Sequence, residues 1–157
     1  RRKRKARRLS SATGLLRNAD PAQSVAIRIA PRAGFTVFYP RLMLGGASYL
    51  VDDSRGYDLY DRGRKRHRAY RIVVRTGQLG QYYGIQGTTW SAPPILDEPT
   101  STRTIRGRKF DLYTDGGRLR IVAWRTPTAR YWVSNTLLRT LTSAQMLAIA
   151  QSVARVN

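Results

Sequence analysis

The chain contains no cysteine, one histidine, and nine acidic residues against 29 lysines and arginines in 157 residues. The missing thiols exclude disulfides, thiolate metal sites and cysteine nucleophiles, and leave the redox compartment open. The shortage of acid limits hydrolytic chemistry, which needs two carboxylates close together. Glu98 is the lone glutamate, the aspartates fall mostly in turns, and the adjacent pairs Asp52-Asp53 and Asp97-Glu98 point apart in extended chain. No apolar run approaches the roughly 18 residues of a membrane-spanning helix, and Leu9 to Asp20 is too polar for a signal-peptide core. Residue 1 is Arg, which suggests a piece of a longer parent whose targeting segment, if any, lies upstream.

The single histidine, His67, lies inside Arg62-Gly63-Arg64-Lys65-Arg66-His67-Arg68. It has no evident orienting acid and no companion ligands, so a solvated hairpin loop is its expected place. Phosphate-loop and Rossmann glycine patterns are absent as well. No catalytic residue, metal ligand or cofactor is assigned, and the chain is not expected to be an enzyme by itself.

What the sequence does have is positive charge, formally +20 with a sequence pI near 11.5. An anionic partner is expected. Seven cations crowd the first eight positions (Arg1, Arg2, Lys3, Arg4, Lys5, Arg7, Arg8), and the remainder is basic too. A 41% hydrophobic and 10% aromatic content belongs to a folded domain and separates the chain from disordered polycations. The expected organisation is a flexible basic arm or linker over residues 1–20 and a single α+β domain over 21–157.

Alternation at Val25, Ile27 and Ile29, stopped by Pro31 and Gly34, predicts a short strand, and Phe35 to Tyr39 a second. Strands are also expected at Tyr57 to Tyr60, Ala69 to Arg75, Tyr82 to Ile85, Lys109 to Tyr113, Leu119 to Trp124 and Tyr131 to Ser134. Pro93, Pro94 and Pro99 mark a loop from about Ser91 to Arg103, and Asp115-Gly116-Gly117 marks a hairpin. Tyr70, Ile72 and Val74 should face a core and Arg71, Val73 and Arg75 the other way. Leu119, Ile121 and Ala123 should likewise alternate with Arg120, Val122 and Trp124. Thr142-Ser143-Ala144-Gln145 fits a capping box, so a helix should begin there, with Met146, Leu147, Ile149, Ala150 and Val153 forming its apolar stripe. The expected fold is a curved antiparallel sheet of six to eight strands with this amphipathic C-terminal helix packed on it.

Two groups of side chains are candidates for ligand binding. Tyr82, Tyr83, Gln86, Thr89 and Trp90 place aromatic faces and small polar groups in one short stretch, which could line a groove but which an ordinary sheet would sooner use for packing. Arg71, Arg75, Arg118, Arg120 and Arg125 alternate onto polar sheet faces, where guanidinium forks could hold phosphate or carboxylate or simply be solvated.

Four segments read together carry a resemblance. They are Gly84-Ile85-Gln86-Gly87-Thr88-Thr89-Trp90 with Pro93-Pro94-Ile95-Leu96; Gly107-Arg108-Lys109-Phe110 with Tyr113 and Asp115-Gly116; Leu119 to Arg125; and Tyr131-Trp132-Val133-Ser134-Asn135-Thr136-Leu137 leading into Gln145 to Ala150. Over residues 22 to 155 they resemble the C-terminal extension that follows the catalytic domain in some actinobacterial LytR-CpsA-Psr proteins, which attach glycopolymers to peptidoglycan. The resemblance implies an accessory domain at the extracytoplasmic face of the cell envelope, with anionic cell-wall polymer, peptidoglycan or a partner protein as ligand. No segment matches that family's catalytic core, and none of its catalytic residues carries over. The alternative is a nucleic-acid-binding domain, since high pI, a basic arm and sheet-borne aromatics are its usual footprint. A third, weaker class is a ribosomal or other assembly protein with a basic extension.

Overall fold

The computed structural model describes residues 13–77 and 79–156. Most of the expected basic arm, residues 1–12, therefore lies outside the described residues. Ordered structure begins before the expected boundary: β1 (Leu15–Arg17) pairs with β3 (Leu42–Leu44), and the Thr13 carbonyl accepts a 2.8 Å hydrogen bond from Gln145 Nε2.

The segment expected to be a strand at Val25 is instead a helix, α1 (Ala19–Ala33). Ala22, Val25, Ala26, Ile29 and Ala33 are buried, the spacing of one helical face, while Ile27 is 55% exposed. The Val-Ile-Ile alternation misleads because the small alanines, not Ile27, complete the stripe. Asp20 complements the positive helix N-terminus, and Gly34, at φ 77°, ends the helix by donating its N–H to the Ala30 carbonyl.

The remaining strands are β2 (Val37–Tyr39), β4 (Ser48–Tyr49), β5 (Arg55–Tyr60), β6 (Arg66–Arg75), β7 (Tyr82–Thr88), β8 (Ser101–Ile105), β9 (Arg108–Asp115), β10 (Arg118–Arg125), β11 (Arg130–Ser134) and β12 (Ala154–Val156). The main sheet runs β4-β6-β7-β11-β10-β9-β8, and β5 pairs with β6 on the same edge as β4. The expected proline-rich loop is shorter than foreseen, because β8 begins at Ser101 and a 3₁₀ turn occupies Pro94–Leu96. Helix α2 (Ser143–Gln151) carries the expected capping box: Gln145 N–H donates to Thr142 Oγ1, and Thr142 N–H donates to Gln145 Oε1.

Both helices pack on one face of the sheet, α1 against β5 and β6, α2 against β10 and β11. Met146, Ile149 and Ala150 are fully buried there. Tyr70, Ile72 and Val74 join this core, as their alternation predicts. In β10 a register shift between Leu119 and Ile121 breaks the alternation: Leu119, Val122 and Trp124 enter the main core, whereas Ile121 and Ala123 turn to the opposite face. There they form a second cluster with Tyr113, Trp132 and Leu96, so the proline-rich loop covers the middle of that face.

The centre of the main core is aromatic. Phe38 meets Trp124 and Tyr131 edge-on at 5.8 and 4.6 Å between ring centroids, and Trp124 stacks on Tyr131 at 5.8 Å. Gly87 lies beneath the rings of Tyr70 and Tyr131: a Cβ there would come within 2.5 Å of Tyr70 and 2.7 Å of Tyr131. The Tyr70 hydroxyl donates to the Phe38 carbonyl (2.9 Å) and accepts from the Phe38 N–H (3.0 Å). Tyr70→Phe should therefore leave two buried backbone groups unpaired and cost at least about 2 kcal/mol in urea unfolding. A change near zero would show that β2 does not depend on this hydroxyl.

Candidate anion-binding face

Strand register carries several of the proposed binding residues to the sheet face away from the helices. Arg71 lies opposite Gln86, which lies opposite Trp132; Arg75 lies opposite Tyr82. With Arg120 and Arg125 on β10, six candidates share this face. Tyr83 does not: it is 2% exposed, points into the core and accepts a hydrogen bond from the Leu44 N–H, and burial pushes its hydroxyl pKa up to about 12. Thr89 and Trp90 lie past the end of β7. Arg118 lies at the start of β10, where its guanidinium donates to the Arg139 carbonyl.

The arginines of this face are held mostly by groups other than carboxylates. Arg71 Nε donates to the Asp53 carbonyl at 2.9 Å, and its guanidinium lies 5.8 Å over the Tyr57 ring. Arg120 lies 5.8 Å over Tyr113. Arg125 and Arg130 both reach 4.0 Å from Asp111 Oδ2, the outer limit of an ion pair, and Arg130 also donates to the Ser91 carbonyl. Gln86 Nε2 donates to Ser134 Oγ at 2.8 Å, so the amide is positioned by the neighbouring strand. Guanidinium groups fixed by ring faces and carbonyls keep their charge uncompensated.

At the other end of β6 the structure supplies an acid for the histidine. Asp61 Oδ2 is 2.9 Å from His67 Nε2, and Trp90 stacks on the imidazole at 4.9 Å and 7°. His67 is thus clamped on β6 next to the turn of the β5–β6 hairpin, not solvated in a loop. The β6–β7 register explains the stack, since Ala69 opposite Thr88 brings His67 across from Trp90. Nothing in sequence spacing signals it before that register is known. Thr89 belongs to the same junction, its Oγ1 accepting from the Arg68 N–H. Trp90 is thereby occupied by packing, and Tyr82, 44% exposed, is the aromatic of that stretch most open to solvent. Among the described residues no group of three His, Cys, Asp or Glu side chains could hold a metal ion, and no helix is long and apolar enough to cross a membrane.

No protein-family model, curated protein or solved structure matches this chain.

The His67 hydrogen bond, followed by the Lys65 N–H, holds the Asp61 carboxyl below its ordinary value of 3.8. A depressed carboxylate adds stability that is present above its unfolded value and lost as pH falls through its folded one. Asp61→Asn should lower the thermal midpoint at pH 7, and the gap from the wild type should close as the pH is taken below 3.8. A gap that persists in acid would show that the clamp does not act through the carboxylate.

Proposed function

We propose that this chain is a non-catalytic, polyanion-binding accessory domain of a cell-envelope glycopolymer-attachment protein, working at the extracytoplasmic face. The observation that favours it is the outer sheet face, where Arg71 and Arg120 are oriented by Tyr57, Tyr113 and a backbone carbonyl instead of by acids. Oriented, uncompensated guanidinium groups attract phosphate or carboxylate and hold either in a bidentate manner. The four segments similar to LytR-CpsA-Psr extensions supply the envelope setting and the ligand class, an anionic wall polymer or peptidoglycan.

Nucleic acid is the rival reading, carried by the same charge. Single-strand readers gain roughly 1–3 kcal/mol per base by stacking on exposed aromatics. Here Tyr83 is interior and Trp90 is engaged with His67, which leaves little of the aromatic stretch for bases.

The two readings separate by competition at near-physiological salt, because +20 attracts any polyanion and binding alone decides nothing. Purified anionic wall polymer should displace labelled single-stranded DNA from the full chain, and the Arg71→Gln/Arg120→Gln double variant should bind the polymer several-fold more weakly. Displacement by nucleic acid alone, lost in Trp90→Ala, would favour the rival.

A further inference from the structure

A second group of five arginines, away from the outer sheet face, converges from four separated places in the chain. Arg17 ends β1, Arg41 lies between β2 and β3, Arg106 and Arg108 belong to the β8–β9 turn, and Arg155 lies on β12. Arg17, Arg41 and Arg106 line a hollow of about 300 Å³ at the end of α2, with Gln151 and Ser152. Arg106 and Gln151 also line a neighbouring hollow of about 210 Å³, where Arg108 joins them. Burial, and after it the nearby Arg155, lowers the Arg108 pKa. None of the five takes part in an ion pair among the described residues.

Mutual repulsion should scatter such a group, yet several members are fixed. Arg41 Nε donates to the Ser152 carbonyl at 2.8 Å, which leaves its two terminal nitrogens free. Arg108 and Arg155 each lie 5.5 Å from the Phe38 ring centroid, and Arg108 lies 5.9 Å from that of Trp124. The negative end of α2 offsets part of the charge, but a helix terminus supplies only about half an elementary charge. Arg106 adds a local cost. It stands at φ 49° before Gly107 at φ 80°, in a two-residue turn closed by Ile105 opposite Arg108. Such turns favour Asn-Gly, and an arginine there is strained. Strain, crowded like charge and pre-set forked donors around one concavity mark a candidate anion site.

We propose that this hollow binds phosphate groups of a non-nucleotide polyanion, with Arg17, Arg41 and Arg106 as direct donors and Arg108 and Arg155 supplying field. The proposal deepens the polyanion-binding reading and rests on it. Phosphate fits because several forked donors converge on one hollow, where a multiply charged tetrahedral group can take more than one fork. Bases do not fit: Phe110, the aromatic lining residue of these two hollows, is 1% exposed and offers no stacking face.

The test compares Arg106→Asn with Arg64→Asn in the full chain. Arg64 is also left-handed, at φ 63°, but lies in the β5–β6 hairpin, so both variants lose one charge and relieve one strained arginine. Both should hold or raise the thermal midpoint. Only Arg106→Asn should weaken binding of inorganic tripolyphosphate and of poly(glycerol phosphate), by about tenfold, one strong contact's worth. Equal loss in the two variants, or none in either while wall polymer still binds, would overturn the site and leave the polyanion reading standing. Failure of every polyanion to bind would overturn both. A loss confined to oligothymidylate would overturn the non-nucleotide assignment.

Discussion

The hydroxyl of Tyr70 is the contact on which the packing of the helical side depends. Strand β2 is three residues long and pairs along one edge with β12 alone, so its other edge would present bare N–H and C=O groups to a dry core. Tyr70 satisfies both groups of Phe38 with one oxygen, and Tyr131, on β11 beyond β7, donates to the Thr36 carbonyl at 2.7 Å. Buried polar groups are tolerated only when paired, so two tyrosines on the large sheet fix where the small β2–β12 sheet can sit. Phe38 then meets the stacked Trp124 and Tyr131 edge-on, and the aromatic centre follows. Burial drives the Tyr70 pKa well above 10.0, so this hydroxyl remains a donor.

That arrangement gives the most distinctive sequence stretch a packing explanation beside any binding one. Gly87 has no side chain because Tyr70 and Tyr131 occupy the space above it, and Tyr83 reaches from the same strand to the Leu44 N–H. Gln86, one residue away, faces outward beside Arg71. A single strand thus divides its residues between core and surface by alternation.

Charge is the other organising constraint. With 29 basic and nine acidic residues, full pairing is unattainable, and guanidinium groups are held by carbonyls and aromatic faces instead. Exposed ion pairs contribute little in any case. Ring faces and carbonyls fix direction without cancelling charge, and a field of oriented cations results on the outer sheet face and around the end of α2.

The sequence by itself determined the strand-rich character, the C-terminal helix and the basicity, because alternation, a capping box and net charge are local or additive properties. Thr142 and Gln145 cap α2 through a three-residue spacing, which no distant contact is needed to reveal. Tertiary structure decided the rest. Val25 lies in a helix because the alanines at 22, 26 and 33 fit a close approach to the sheet, where the Gly56 position leaves only 2.6 Å to the Ala33 backbone for a Cβ. Short strands β1, β3, β4 and β12 carry too few residues for a period to show, and they exist through their partners. The bulge in β10 sends Ile121 to the opposite face from the one Leu119 takes, a one-residue slip that alternation cannot foresee. The stack of His67 on Trp90 and the convergence of Arg17, Arg41, Arg106, Arg108 and Arg155 join residues far apart in the chain. Only pairing register and the packing of both helices on one sheet face bring them together.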